Sequence, residues 1–190
     1  MRKISTLFIT MLIILSCSER VPNEHRNELK SETTDWKSEV EKTLELFGHR
    51  NWIVIADAAY PLQSNQAIKT INIKADQLEA VEFVNRLIEK AKHVDANIFI
   101  DKEMEFVPEK DAKGIESYRT GLNKILEGMS VKTMPHEDII LELDSSAKLF
   151  DILIIKTDLI IPYTSVFFKL ECGYWTTDAE RNLRTNIGGE

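Results

Sequence analysis

What most restricts this chain is a rhythm in which short, continuously apolar, β-branched runs alternate with stretches of helical periodicity. Trp52-Ile53-Val54-Ile55-Ala56 is the clearest such run. Five apolar residues without a polar interruption suit a strand covered on both faces. Pro61 stops it. Ala96 to Ile100, Ile152 to Lys156 and Thr164 to Leu170 read the same way. Ile68 to Ile73 alternates apolar with polar residues, and Val131 to Met134 is a shorter strand. Between these lie amphipathic segments. Asp35 to Phe47 places Trp36, Val40, Leu44 and Phe47 on one face, with Gly48 as the residue after the helix end. Asp76 caps a helix from Gln77 to Lys92 whose inner face carries Val81, Val84, Leu87, Ile88 and Ala91. Pro108 to Leu126 turns Ile115, Tyr118, Leu122 and Ile125 inward, with Gly114 costing about 1 kcal/mol relative to Ala. A helix opening at Pro135 or His136 runs to Phe150 on Ile139, Leu143, Ala147 and Phe150. This alternation predicts an α/β layered fold with a largely parallel sheet flanked by helices. In such folds ligands gather in the loops beyond the carboxyl ends of the strands.

The first 33 residues do not share the rhythm. Met1-Arg2-Lys3 is basic, and Ile4 to Leu15 is an apolar run too short to span a bilayer. It reads as a signal peptide. The run ends in Ile14-Leu15-Ser16-Cys17, which resembles a lipobox, so residues 1–17 are expected to be an export signal with Cys17 as the lipidated residue. Two or more acyl chains give a stable anchor where one is marginal. Ser18 to Thr33 is polar and aperiodic, a tether between membrane and domain. Residues 34–175 form the α/β domain, and 176–190 read as a mobile polar tail. The protein is therefore expected outside the cytoplasm, lipid-anchored to a bacterial membrane on its periplasmic side or at the cell surface. Lipid on Cys17 leaves Cys172 without an intramolecular partner and excludes a disulfide framework or a CxxC metal motif. The chain has a net charge of −7 with no basic cluster in its mature part, which argues against nucleic acid as partner.

Four histidines are candidates for acid–base chemistry: His25, His49, His93 and His136. His25 falls in the tether and His93 at a helix end. His49 follows a helix-terminating Gly and precedes a buried strand, whereas His136 opens a helix just after a strand. Functional side chains concentrate at such junctions. Asp57 closes the buried strand that His49 precedes, and a carboxylate there can hold a ligand hydroxyl or orient an imidazole. The competing reading of Asp57 is a turn-stabilising residue.

Gly48-His49, followed by Ile53-Val54-Ile55-Ala56-Asp57-Ala58-Ala59-Tyr60-Pro61, resembles the signature of the D-ribose pyranase and L-fucose mutarotase family. His136-Glu137 resembles the second histidine of its ribose branch. Pro162-Tyr163-Thr164-Ser165-Val166-Phe167-Phe168-Lys169 resembles its Tyr-x-Asn strand, and Lys156-Thr157 its Arg/Val-Thr-Gly-Glu. The likeness runs from about Ser38 to Tyr174. It implies the layered fold of that family and a monosaccharide mutarotase or pyranase activity needing no metal or cofactor. A free pentose or hexose would be opened and reclosed at its hemiacetal. One group removes the anomeric hydroxyl proton while another protonates the ring oxygen, steps that suit histidine near neutral pH. His49, Asp57 and His136 would be catalytic. Tyr163, Ser165 and Lys156 would bind substrate. The family assembles as ring-shaped homo-oligomers with sites near subunit interfaces, so these residues are expected to meet in one cleft, within a chain or across a subunit boundary.

The chain departs from the family's pattern at several positions. Asn51 replaces an Asp, Arg50 a small or hydroxyl residue, Ser165 the Asn of Tyr-x-Asn, Ile140 a Lys, and Asp158-Leu159 the Gly-Glu. Serine cannot make the two-sided hydrogen bonds of asparagine, and losing lysine removes up to three donors. These changes motivate a second reading, a non-catalytic sugar-binding or assembly lipoprotein on the same scaffold.

Overall fold

The computed structural model describes residues 36–188. The expected export signal at 1–17 with Cys17, and the tether at 18–33, lie outside the described residues. Among those described, no helix is long and apolar enough to cross a membrane.

Six strands, β1 (Trp52–Ala56), β2 (Ile68–Asn72), β3 (Val94–Asp101), β4 (Val131–Met134), β5 (Ile152–Lys156) and β6 (Val166–Cys172), form one sheet in the order β2-β5-β1-β6-β3-β4. β1 and β2 pair parallel with β5, and β3 pairs parallel with β4, as the alternation of elements predicts. β6 runs antiparallel between β1 and β3 and joins the two parallel halves.

Helices cover both faces. α1 (Trp36–Leu46), α2 (Gln77–Lys90) and α3 (Ile115–Ile125) bury Val40, Leu44, Val81, Val84, Ile115 and Leu122 against Ile53, Ile55, Leu153, Ile155 and Phe168. On the other face α4 (His136–Ser146) sets Ile139 and Leu143 against Trp52, Val54, Ile152, Ile154 and Phe167. The period-2 alternation of side chains sends neighbouring residues of β1 and β5 into opposite layers. All five residues of β1 are buried, which is why its sequence shows no polar interruption.

Two helical readings need correction. The segment expected as one helix from Pro108 starts as an α-helix only at Ile115. A 3₁₀ helix spans Lys102–Phe106, and Gly114 stands at the α3 N-cap with φ 96°. Gly114 is thus not a weak point inside the helix but the residue whose left-handed backbone lets the helix begin. The stretch read as a polar tail contains α5 (Thr177–Asn186), capped by Thr176, whose hydroxyl accepts from Ala179 N–H. Asp76 caps α2 as expected, accepting from the N–H groups of Leu78 and Glu79.

Candidate functional site

The strand directions place five segments at one edge of the sheet. The carboxyl ends of β1, β3, β4 and β5 and the amino end of antiparallel β6 all open there. Asp57, Asp101, His136, Lys156, Tyr163 and Ser165 therefore share the carboxyl edge, on either side of the junction that β6 makes between the parallel halves. His136 Nδ1 lies 3.0 Å from Asp101 Oδ1. With Asp101 ionised the carboxylate only accepts, so Nδ1–H is the donor, and in the neutral imidazole Nε2 then keeps its lone pair. His136 is fixed at its backbone too, where its N–H donates to both carboxylate oxygens of Glu103 at 3.0–3.1 Å. The Tyr163 ring meets the imidazole edge-on, with centroids 5.6 Å apart.

Asp101 is the residue that reasoning from the sequence missed. It is 1% exposed, and its Oδ2 is buried without a hydrogen-bond partner. Burial pushes its pKa up to about 6 against the opposing pull of the His136 hydrogen bond. The available signal was the one used for Asp57: a carboxylate ending a buried strand, which Asp101 equally does at the end of β3.

The other expected residues at this edge are tied into the scaffold. Asp57 Oδ1 accepts from Ala59 N–H at 2.7 Å, the local turn that was its competing reading. Lys156 Nζ donates to Tyr60 O at 2.8 Å. Ser165 is 1% exposed. Tyr163 is 40% exposed and has φ 57°, a left-handed backbone that costs a bulky residue energy and recurs at functional sites. Beneath it a buried network holds the edge together. Gln77, 1% exposed, donates through Nε2 to Thr164 O at 2.6 Å, and its Oε1 accepts from Thr157 Oγ1 at 2.8 Å. Tyr118 Oη donates to the same Thr164 O at 2.7 Å. Burial raises the Tyr118 phenol well above its ordinary value, keeping it a neutral donor.

His49 is not at this edge. It precedes β1, at the end opposite Asp57, and β1 alone spans about 13 Å at roughly 3.3 Å per residue. There its Nδ1 lies 2.9 Å from Glu171 Oε2 on β6. The second oxygen of Glu171 accepts from Asn97 Nδ2 at 3.2 Å, and Asn97 Oδ1 accepts from Lys132 Nζ at 3.2 Å. Arg50, in a left-handed conformation with φ 81°, and Asn51, whose side chain bonds Gly48 N–H and Asp151 O, shape the loop that presents His49. A cleft of about 830 Å³ opens beside the imidazole. Among the described residues there are thus two His–carboxylate pairs, one at each edge of the sheet, and in both the carboxylate holds Nδ1. Among the described residues no group of three or more His, Cys, Asp or Glu is placed to hold a metal ion.

Comparison with known proteins gives two kinds of match. The family described as the RbsD / FucU transport protein family matches residues 30–172. Among solved structures, RbsD of Bacillus subtilis, determined in complex with D-ribose, is similar with a TM-score of 0.50 at 20% identity, over 70% of this chain and 92% of that one. The fucose mutarotase of Streptococcus pneumoniae, determined in complex with L-fucose, gives 0.46 at 24% identity, over 68% and 89%. No curated protein matches the sequence.

Proposed function

The chain belongs to the RbsD / FucU transport protein family, and from that membership we propose that it interconverts the cyclic forms of a free monosaccharide by acid–base catalysis. The observation that carries this reading is the pair of imidazoles held through Nδ1, His136 by Asp101 and His49 by Glu171. A carboxylate at Nδ1 sets the tautomer and ring orientation and leaves Nε2 for substrate. Ring opening needs this arrangement twice. One neutral Nε2 takes the anomeric hydroxyl proton as the C1–ring oxygen bond breaks, and an imidazolium Nε2 delivers a proton to the departing ring oxygen. Reclosure of the open-chain aldehyde by a hydroxyl reverses both transfers, so no proton is gained or lost. Tyr163, edge-on to His136, is placed to hydrogen-bond a sugar oxygen.

His49 and His136 lie at opposite edges of one sheet, so the same chain does not supply both to one sugar. A head-to-tail ring, in which the amino edge of one subunit faces the carboxyl edge of the next, brings them together. Leu62, Phe106 and Ile160, 70–89% exposed, lie in the loops and the 3₁₀ helix that follow β1, β3 and β5. They give the carboxyl edge an apolar rim suited to such a contact.

The test is exchange spectroscopy on the anomeric NMR signals of free sugars. The protein is expected to accelerate exchange of at least one pentose or hexose over buffer, and His136→Ala to abolish the acceleration. The turn-bound Asp57 and the buried Ser165 favour a second reading, sugar binding without turnover. Calorimetric binding in the absence of acceleration would decide for it. The reading places this chemistry outside the cytoplasm, on a lipid anchor at Cys17. Mass spectrometry of the mature N-terminus is expected to show an acylated Cys17, and an uncleaved or unacylated terminus would remove the anchor.

A further inference from the structure

We infer that the segment following β6 forms a wall of the sugar cleft at His49, in which Trp175 is the stacking platform and the surrounding carboxylates select an uncharged, unphosphorylated sugar. The inference rests on the sugar reading above and goes beyond it by naming a specificity element outside the family-matched region, which ends at residue 172.

The way this segment leaves the sheet is fixed. Gly173 N–H donates to His93 O at 3.1 Å, and a Cβ on Gly173 would come within 2.7 Å of Val94 O. Only glycine fits so close an approach. Then α5 begins at its Thr176 cap, yet none of its ten residues is buried. Ten residues are too few for a stable helix in water on propensity alone. Its Arg181–Asp178 and Arg184–Glu180 pairs each add only tenths of a kcal/mol. The core gains little from α5. What the segment does is close one side of the 830 Å³ cleft whose other side carries His49, Asn97 and Glu171.

Trp175 lines that cleft and is 44% exposed. Its indole N–H is already used, donating to Glu180 Oε2 at 2.8 Å. That bond orients the ring and leaves its faces as the surface offered to a ligand. An indole face has nothing for a hydroxyl but matches the C–H face of a sugar ring, while polar groups around the rim take the hydroxyls. The charges narrow the ligand further. Asp95, Glu171 and Glu180 line the cleft against one guanidinium, that of Arg50. A phosphate would meet mostly repulsion there, whereas carboxylates are good acceptors for neutral hydroxyls.

Calorimetry and anomeric exchange on the full chain, with free D-ribose, D-glucose and D-glucose 6-phosphate as probes, test this. Trp175→Ala is expected to raise Kd and KM for the preferred free sugar at least tenfold with kcat changed less than twofold. Trp175→Phe should restore most of the affinity. Such a split marks lost binding, which ground and transition states share. The intrinsic fluorescence change on adding sugar should vanish in Trp175→Phe, since Trp52 is buried and Trp36 packs on Phe83 and does not line the cleft. The phosphorylated sugar should bind at least tenfold more weakly than its free form. Wild-type exchange with unchanged Kd in Trp175→Ala, or tighter binding of the phosphorylated sugar, would overturn the wall while leaving the sugar reading intact. Absence of both binding and exchange in the wild type would overturn the sugar reading and the wall with it.

Discussion

At the carboxyl edge, Asp101 sets stability against chemistry in a single side chain. Its carboxyl is buried and one of its oxygens has no partner, so the fold favours the protonated form and raises its pKa to about 6. The proposed role needs the carboxylate, because the ionised form accepts most strongly from His136 Nδ1–H and supports the positive charge the ring gains when Nε2 acts as a base. Exchange activity should therefore rise with pH through about 6. Stability should move the other way. A group that holds its proton more tightly folded than unfolded contributes fully below its unfolded pKa, and the contribution is lost as pH rises through the folded one. Relative to Asp101→Asn, which cannot titrate, the wild type is thus expected to lose stability from about pH 4 to about pH 6 and to stay level above. Paired thermal melts from pH 4 to 8 check this. A constant difference in Tm across that range would show that Asp101 is not perturbed by burial. The same variant should lose the rise in activity near pH 6, which a merely structural change would not remove.

Among the elements, α2 matters to the site through its first residue. Gln77 links α2 to the loop before β6 and to the end of β5, and Tyr118 on α3 joins the same carbonyl of Thr164. Gln77→Leu keeps the volume but leaves the Thr164 carbonyl and the Thr157 hydroxyl with fewer partners. Lost buried hydrogen bonds cost about 1–3 kcal/mol, or roughly 3–10 °C in Tm for a domain of this size. The variant is expected to melt lower and to lose exchange activity without a change in its pH dependence, measured by differential scanning calorimetry and NMR. Gln77 was legible in the sequence only as the residue after a cap. The sequence did show the elements themselves. β1 and β5 have the expected limits because short, continuously apolar, β-branched runs suit strands covered on both faces, and β4, Val-Lys-Thr-Met, has the limits expected of a shorter strand. The start of α3 was hidden because helical spacing of apolar residues continues back through Pro108–Gly114, where a positive φ at Gly114 breaks the helix. α5 was missed although Ala179, Leu183 and Ile187 recur at helical spacing, because that stripe is sparse within a polar segment and none of the residues of α5 is buried. His49 and His136 were found from their junctions, but their separation was not. A His-to-Asp spacing of eight looks local in the chain, while an extended strand carries the two residues to opposite ends of the sheet.

For the molecule as a whole, that separation makes the quaternary state part of the proposed chemistry. If His49 of one subunit and His136 of the next serve the same sugar, neither variant alone can work, but a mixture can. His49→Ala chains retain an intact His136 edge, and His136→Ala chains an intact His49 edge. Where a chain of each kind meets in the right order, a complete site re-forms. With random mixing in equal amounts, one interface in four has that order, so co-refolded or co-expressed variants are expected to recover about a quarter of the wild-type exchange rate. Light scattering should report the same assembly for the mixture as for the wild type. A mixture as inactive as either parent, in assemblies shown by mass spectrometry to contain both chains, would mean that the two histidines do not meet at a subunit contact. Because the apolar rim of Leu62, Phe106 and Ile160 surrounds the His136 edge, a charge placed there, as in Ile160→Glu, should weaken assembly and activity together while leaving the monomer folded. A drop in activity without loss of assembly would detach the rim from the subunit contact and leave the complementation result to stand alone.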